Sequence, residues 1–423
     1  MTVMDQYGHV LSGASPRAAA AFQQALDAYQ RYAGQPMKHL ATALDDSPDF
    51  ILAHLLKAYM TGVGANAATR QIGLAALASA RDLPADTREQ GHLAAVELLL
   101  AGETCAAGRI LEDVSLAYPR DLLALQAGQF VDFLTGDARM LRDRIARAAP
   151  AWSPDMPGYH ALLGLTAFGL EETGAYAQAE AAGRRAIELE PRNGWAQHAV
   201  AHVLEMQDRR AEGVAWMRAD TAAWTHQSFL AIHNWWHLSL FHLGMGEIDE
   251  VLALYDGPIF GEPTGMAFDM ADAAALLWRL KLRDVDVGDR WNALAALYAT
   301  EPRGLSAFDD AHAVMAFVGA GRDGNVAATL SAMAAAAAGP GDNARVTCDV
   351  GLPVAEAIVA FGRGRHGEAV ERLRSVRNIA HRFGGSHAQR DILDLTLIAA
   401  AGRAGEAALE RGLLAERARS KLG

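Results

Sequence analysis

The chain reads as an all-α protein built from repeated helical hairpins, and three observations predict this. Hydrophobic residues make up 51% of its 423 residues, with alanine abundant and only 14 prolines, a composition rich in helix formers. No stretch of strand length alternates apolar and polar residues with a period of two. Small residues, turn residues and prolines also recur in phase at the roughly 34-residue spacing of the tetratricopeptide repeat, or TPR.

The frames can be taken one at a time. One opened at His160 puts Ala167 where two helices cross, Gly174 in the turn between them, Ala179 and Ala186 on the second helix, and Pro191 beyond it. The next opens without a gap at Gly194 and gives Ala201, Asp208 in the turn and Gly213. A frame at Ile232 gives Gly246 and Tyr255; one at Arg88 gives Ala95, Gly102, Ala107 and Pro119; one at Val350 gives Ala357, Gly364 and Ala369. Small side chains at these positions let paired helices approach closely. The expectation is a TPR-like α-solenoid: a right-handed superhelix of helical hairpins with a central concave pocket, running over 1–423 as a single domain. At ~35–40 residues each, about eight to eleven hairpins fill the chain. The pattern weakens over 256–300, where YDGPIFGEPTG reads as a loop-rich interruption. The closing ALERGLLAERARSKLG reads as a final, solvent-facing helix.

Charge and cysteine usage narrow the function. A formal net charge of −12 argues against a nucleic-acid footprint, which is basic. Two cysteines, Cys105 and Cys348, lie far apart in no CxxC pair, which excludes a disulfide framework and suits a reducing compartment. The opening MTVMDQYGHVLSG lacks the pattern of a signal peptide, and the Ala-rich run at 331–338 is too short to span a bilayer. A soluble, cytoplasmic protein with no membrane partner is expected.

Six of the 15 histidines and five of the eight tryptophans fall between Trp195 and His242. His198 and His202 stand four residues apart, as do His233 and His237, so each pair shares one helix face. In a TPR, the groove-lining positions of the first helix here carry Trp195, His198, His202 and Glu205, then His233 and Trp236 beside His237, with Phe168 and Glu171 from the preceding repeat. His242, Trp216 and Trp224 read as packing. Burying an imidazole without partners costs ~1–3 kcal/mol, so a chain that only needed filling would use leucine or phenylalanine. Three chemistries fit: a divalent metal such as zinc on the imidazoles, acid–base catalysis by a histidine beside a carboxylate, or recognition of a small molecule or peptide. The sequence carries no nucleophile elbow, Walker loop or GxGxxG turn.

Longer motifs carry a resemblance. FGLEETGAY (168–176), WAQHAVAHVLEMQDRRAEG (195–213), HNWWHLSLFHLGMGEID (233–249), LLWRL (276–280) and GGSHAQRDIL (384–393) together resemble the tetratricopeptide repeat protein 38 family. The resemblance runs over nearly the whole chain, including DSPDFILAH (46–54). It implies a cytosolic TPR-like superhelix to which no reaction is attached. It also implies that His387, Gln389 and Arg390, together with Asp269, Asp272 and Arg279, belong to the same lining; an ion pair within the protein is the alternative for Asp269 and Arg279. By their frame, Phe308, His312 and Met315 can face the groove as well. The leading expectation is a small-molecule pocket centred on His198, His202, Glu205, His233, Trp236 and His237, with or without turnover. A concave groove that binds a peptide or partner protein is the alternative. Ligand, metal occupancy and oligomeric state stay open.

Overall fold

A computed structural model describes residues 2–62 and 66–421. Among them there is no β-strand; two isolated bridges, Met4 with Val10 and Ala33 with Ser228, are the extended pairings. Helices follow one another as pairs, each frame read from the sequence resolving into two of them. The Arg88 frame is Thr87–Ala101 with Thr104–Ala117, and the His160 frame is Tyr159–Glu171 with Tyr176–Leu189. The next two are Gly194–Met206 with Arg210–Ala219 and Ala231–Met245 with Ile248–Leu254. The Val350 frame is Leu352–Gly362 with His366–Val376, and the chain closes on His387–Arg403 and Ala407–Ser420. The protein is an all-α, TPR-like solenoid.

The turns explain why the frames were legible. Gly102, Gly174, Gly246 and Gly364 all take positive φ, between 73° and 85°, a conformation that costs glycine nothing. Asp208 fills the same slot with φ 58°, in the left-handed region that aspartate tolerates better than most residues. The residue after each closes a hydrogen bond back over five residues: Glu103 to Leu98 O, Ala175 to Leu170 O, Arg209 to Leu204 O, Glu247 to His242 O and Arg365 to Ala360 O, at 2.9–3.0 Å. This is the Schellman closure, which satisfies carbonyls that the helix end would otherwise strand. Pro119 and Pro191 stand just past helices ending at Ala117 and Leu189.

The predicted small positions are crossings. Ala107, Ala179 and Ala369 are fully buried. A Cβ on Gly213 would meet the Phe241 ring at 2.4 Å, and one on Gly183 would meet Val200 at 2.6 Å. The 256–300 segment departs from expectation. Its irregular part is confined to the π-type turn Tyr255–Ile259, broken at Gly257, and the loop to Met266. Beyond it stand two ordinary helices, Ala267–Leu282 and Arg290–Tyr298. The first is alanine- and leucine-rich and almost wholly buried, so it shows no amphipathic pattern to read.

The described residues form two compact units: unit one is Met1–Phe133, Asp137–Val203 and Arg218–Ala231, and unit two is Leu134–Gly136, Leu204–Met217 and Ile232–Gly423. No helix of the described residues is long and apolar enough to cross a membrane.

Candidate functional sites in each unit

In unit one the site is built on two consecutive repeats. Asn193, buried ahead of helix Gly194–Met206, accepts the Ala196 N–H at 3.0 Å and donates its amide to His160 O at 3.0 Å, docking the helix start on the preceding repeat. The four-residue spacing then stacks His198 and His202 on one face, with ring centroids 4.3 Å apart. Phe168 lies against both, 5.5 Å from each ring, and Trp195 sits 4.9 Å from His198. Tyr32 stacks on Trp195 at 5.0 Å. Nδ1 of His202 lies 3.4 Å from Oε2 of Glu171, and neither side chain has any solvent exposure. Phe168, Glu171, Trp195, His198 and His202 are therefore gathered in one cluster.

Unit two carries the second pair. His233 Nδ1 lies 2.8 Å from Asp272 Oδ2, with both side chains buried. A carboxylate accepts only, so Nδ1 donates and the imidazole lone pair is directed to Nε2. His237 stands edge-on to His233 at 4.8 Å, Trp236 stacks on it at 5.2 Å, and Phe268 lies 4.7 Å away. Arg279 crosses the Trp236 ring at 5.2 Å and donates to Ala388 O at 2.6 Å. Burial lowers its pKa to about 10, against the pull of Asp391 and Glu205, so it stays charged at neutral pH. Asp269 makes no ion pair with Arg279 among the described residues; it accepts the Thr264 hydroxyl at 2.5 Å. Burial pushes Asp269 up to about 6, the Thr264 bond opposing and Asp272 adding to the rise. His242, expected to pack, is buried and pairs through Nδ1 with Glu247 at 2.5 Å.

Several buried polar atoms of this unit meet no hydrogen-bonding partner among the described residues: Asp272 Oδ1, Trp236 Nε1, the Asn234 side-chain amide and the Tyr298 hydroxyl. Each costs ~1–3 kcal/mol. Unit one offers a contrast in its Asp121. There Oδ2 accepts from Arg88 at 2.9 Å and His92 at 3.0 Å while Oδ1 accepts the Ala124 N–H at 3.0 Å, so both oxygens are used to cap and brace a helix. Burial alone would raise the Asp121 pKa; His92 and Arg88 outweigh it and hold the carboxyl far below its usual range.

The remaining predicted residues fall elsewhere in unit two. Glu205, His387 and Arg390 line a cavity of about 460 Å³, whereas His233, Trp236 and His237 do not. Glu205 takes Lys421, whose Nζ lies 3.3 Å from Oε1 and donates to its carbonyl at 2.7 Å. Gln389 is used locally: its side-chain oxygen accepts the Ser386 N–H at 3.0 Å, closing a capping box that starts helix His387–Arg403. The S-x-x-Q spacing is the sequence signal for it. His312 is buried and donates from Nδ1 to Phe308 O at 2.8 Å; burial lowers its pKa to about 4. Asp309, Asp310 and Arg303, which no motif announced, form a further buried group: Arg303 pairs with Asp309 at 2.8 Å and Asp310 accepts the Gly304 N–H at 3.0 Å.

No family model matches the chain. Among solved structures it is similar to the crystal structure of the APC/C hetero-tetramer Cut9-Hcn1, with 11% sequence identity, 90% of this chain and 76% of that chain covered, and a TM-score of 0.39. The class, a TPR-like α-solenoid, is carried by the helical pairs and their turns.

Proposed function

We propose that the chain is a helical-repeat scaffold of the tetratricopeptide repeat protein 38 type that works in the cytoplasm and grips an amphipathic segment of a partner protein. The supporting observation is the character of the unit-two cavity. Leu373, Val376, Leu393, Leu397, Ile398 and Leu413 give it an apolar floor. Its rim sets Arg377, Arg390, Arg417 and Lys421 among Glu205, Asp391, Asp394 and Glu416. Several of these are held in place by mutual pairing: Arg377 with Asp394 and Glu416 at 2.7 Å each, and Arg417 with Asp391. An apolar floor with a fixed rim of both signs suits a segment with one apolar face and mixed charge. His387, Gln389 and Arg390 then serve as a groove edge and the cap that fixes it. A photo-crosslinker at Ile398, which is only partly buried, tests this. The expected result is a discrete adduct with a partner protein that Arg417→Glu abolishes; adducts that ignore Arg417→Glu defeat the reading.

A second reading has its own support in the His233–Asp272 pair, an acid–base arrangement at 2.8 Å held away from water. A small polar molecule would meet His233 as base, with Trp236 and His237 as walls and Arg279 as its cationic contact. On this reading His198, His202 and Glu171, walled by Phe168 and Trp195, handle protons in unit one. Small molecules retained by protein purified under native conditions, and lost from His233→Gln, would favour it; identical retention in both would remove it.

A further inference from the structure

We propose that Glu171, Glu172 and His202 of unit one bind a divalent first-row metal ion of the zinc class. One donor atom from each residue lies within 4.8 Å of the other two, and all three side chains are buried. Zinc takes histidine nitrogen and carboxylate oxygen at ~2.0–2.2 Å, so closing the set needs donor shifts of ~1–2 Å, within reach of small side-chain rotations.

The placement of the carboxylates favours a cation. Glu171 is the last residue of its helix and Glu172 is the C-cap, so two adjacent carboxylates are buried where the helix dipole is negative. Both act on one neighbour: burial first, then Glu171 and Glu172, raise the Tyr176 hydroxyl to about 12. His202 Nδ1 lies 3.4 Å from Glu171 Oε2, so an imidazole nitrogen already stands beside the carboxylates. A divalent ion would take the two carboxylates as anionic ligands and His202 as a neutral one. Mixed imidazole and carboxylate donors suit zinc, manganese or iron(II) rather than calcium, which takes oxygen alone. Phe168 and Trp195 would shield the ion from water on the histidine side.

The test uses the full-length chain without a histidine tag, stripped by chelator and reloaded with zinc alone. Wild type should hold one equivalent through dialysis and melt about 3 °C higher at zinc a hundredfold above its Kd. Glu171→Gln and Glu172→Gln should each bind at least tenfold more weakly and lose the shift, while Glu188→Gln, an exposed change, keeps it. Equal zinc content in wild type and both glutamine variants overturns the proposal. Should a variant fail to fold, cobalt loading of wild type decides: a four- or five-coordinate absorption spectrum supports the site, and the spectrum of aqueous cobalt overturns it. Metal content is read independently of crosslinking at Ile398, so either result can fail without the other.

Discussion

His233 and Asp272, 39 residues apart in sequence, meet at 2.8 Å with almost no solvent contact. One carboxylate oxygen fixes the imidazole tautomer while the other, Oδ1, meets no partner among the described residues. A purely structural brace would use both, as Asp121 does.

Asp272→Asn should release that tautomer. Nitrogen NMR of His233 is expected to show the Nδ1–H form losing its dominance. Stability should fall by ~1 kcal/mol, because the lost charge-assisted bond is partly offset by removing a buried charge with a stranded oxygen. An unchanged imidazole spectrum would mean that Asp272 does not orient the ring.

Asp310→Asn should alter the pH dependence of stability. Burial first, opposed by the Gly304 N–H and reinforced by Asp309, raises the Asp310 pKa from 3.8 to about 7. A carboxyl with a raised folded pKa contributes stability fully present below pH ~4 and lost as pH climbs to about 7. The asparagine can still accept from Gly304 and has no proton to lose. It should therefore be more stable than wild type at pH 8, on the order of 2–4 kcal/mol, with the gain vanishing near pH 4. Urea unfolding at the two pH values measures the difference, and equal gains at both would refute the assignment.

Gly213→Ala tests the crossing geometry. The added methyl would lie 2.4 Å from the buried Phe241 ring, so the two helices must separate or the ring must leave its rotamer. A loss of ~1–3 kcal/mol is expected despite the better helix propensity of alanine. Gly412→Ala, where a Cβ meets nothing within 4 Å, should gain stability instead. Thermal melts of the two variants should move in opposite directions.

How much of this was legible follows from distance along the chain. Gly174, Asp208 and Gly246 announce hairpins because a turn depends on its own few residues. His198 and His202 could be placed on one face because four residues fix their relation. Glu172 was passed over as a neighbour of Glu171, since a C-cap residue has no fixed helical phase. Asp272 was named only through resemblance, because no local rule pairs position 233 with position 272. Lys421 as the partner of Glu205 depends on how separate hairpins stack, whereas Arg303 reaches Asp309 only six residues along, at the start of helix Ala307–Gly319, and no sequence rule pairs them. Gln389 reads as an inward-facing lining residue, whereas its S-x-x-Q spacing with Ser386 describes a helix start.

The left-handed turns have a consequence for synthesis. Each is sealed by a bond reaching back only five residues, so a hairpin can close as soon as its second helix leaves the ribosome, without waiting for chain still to come. Contacts such as His233 with Asp272 join neighbouring hairpins, and would form later, as each new pair docks on the last. A chain stalled midway would thus carry finished hairpins behind it and one bare apolar face at its growing end, the face that a chaperone would have to cover.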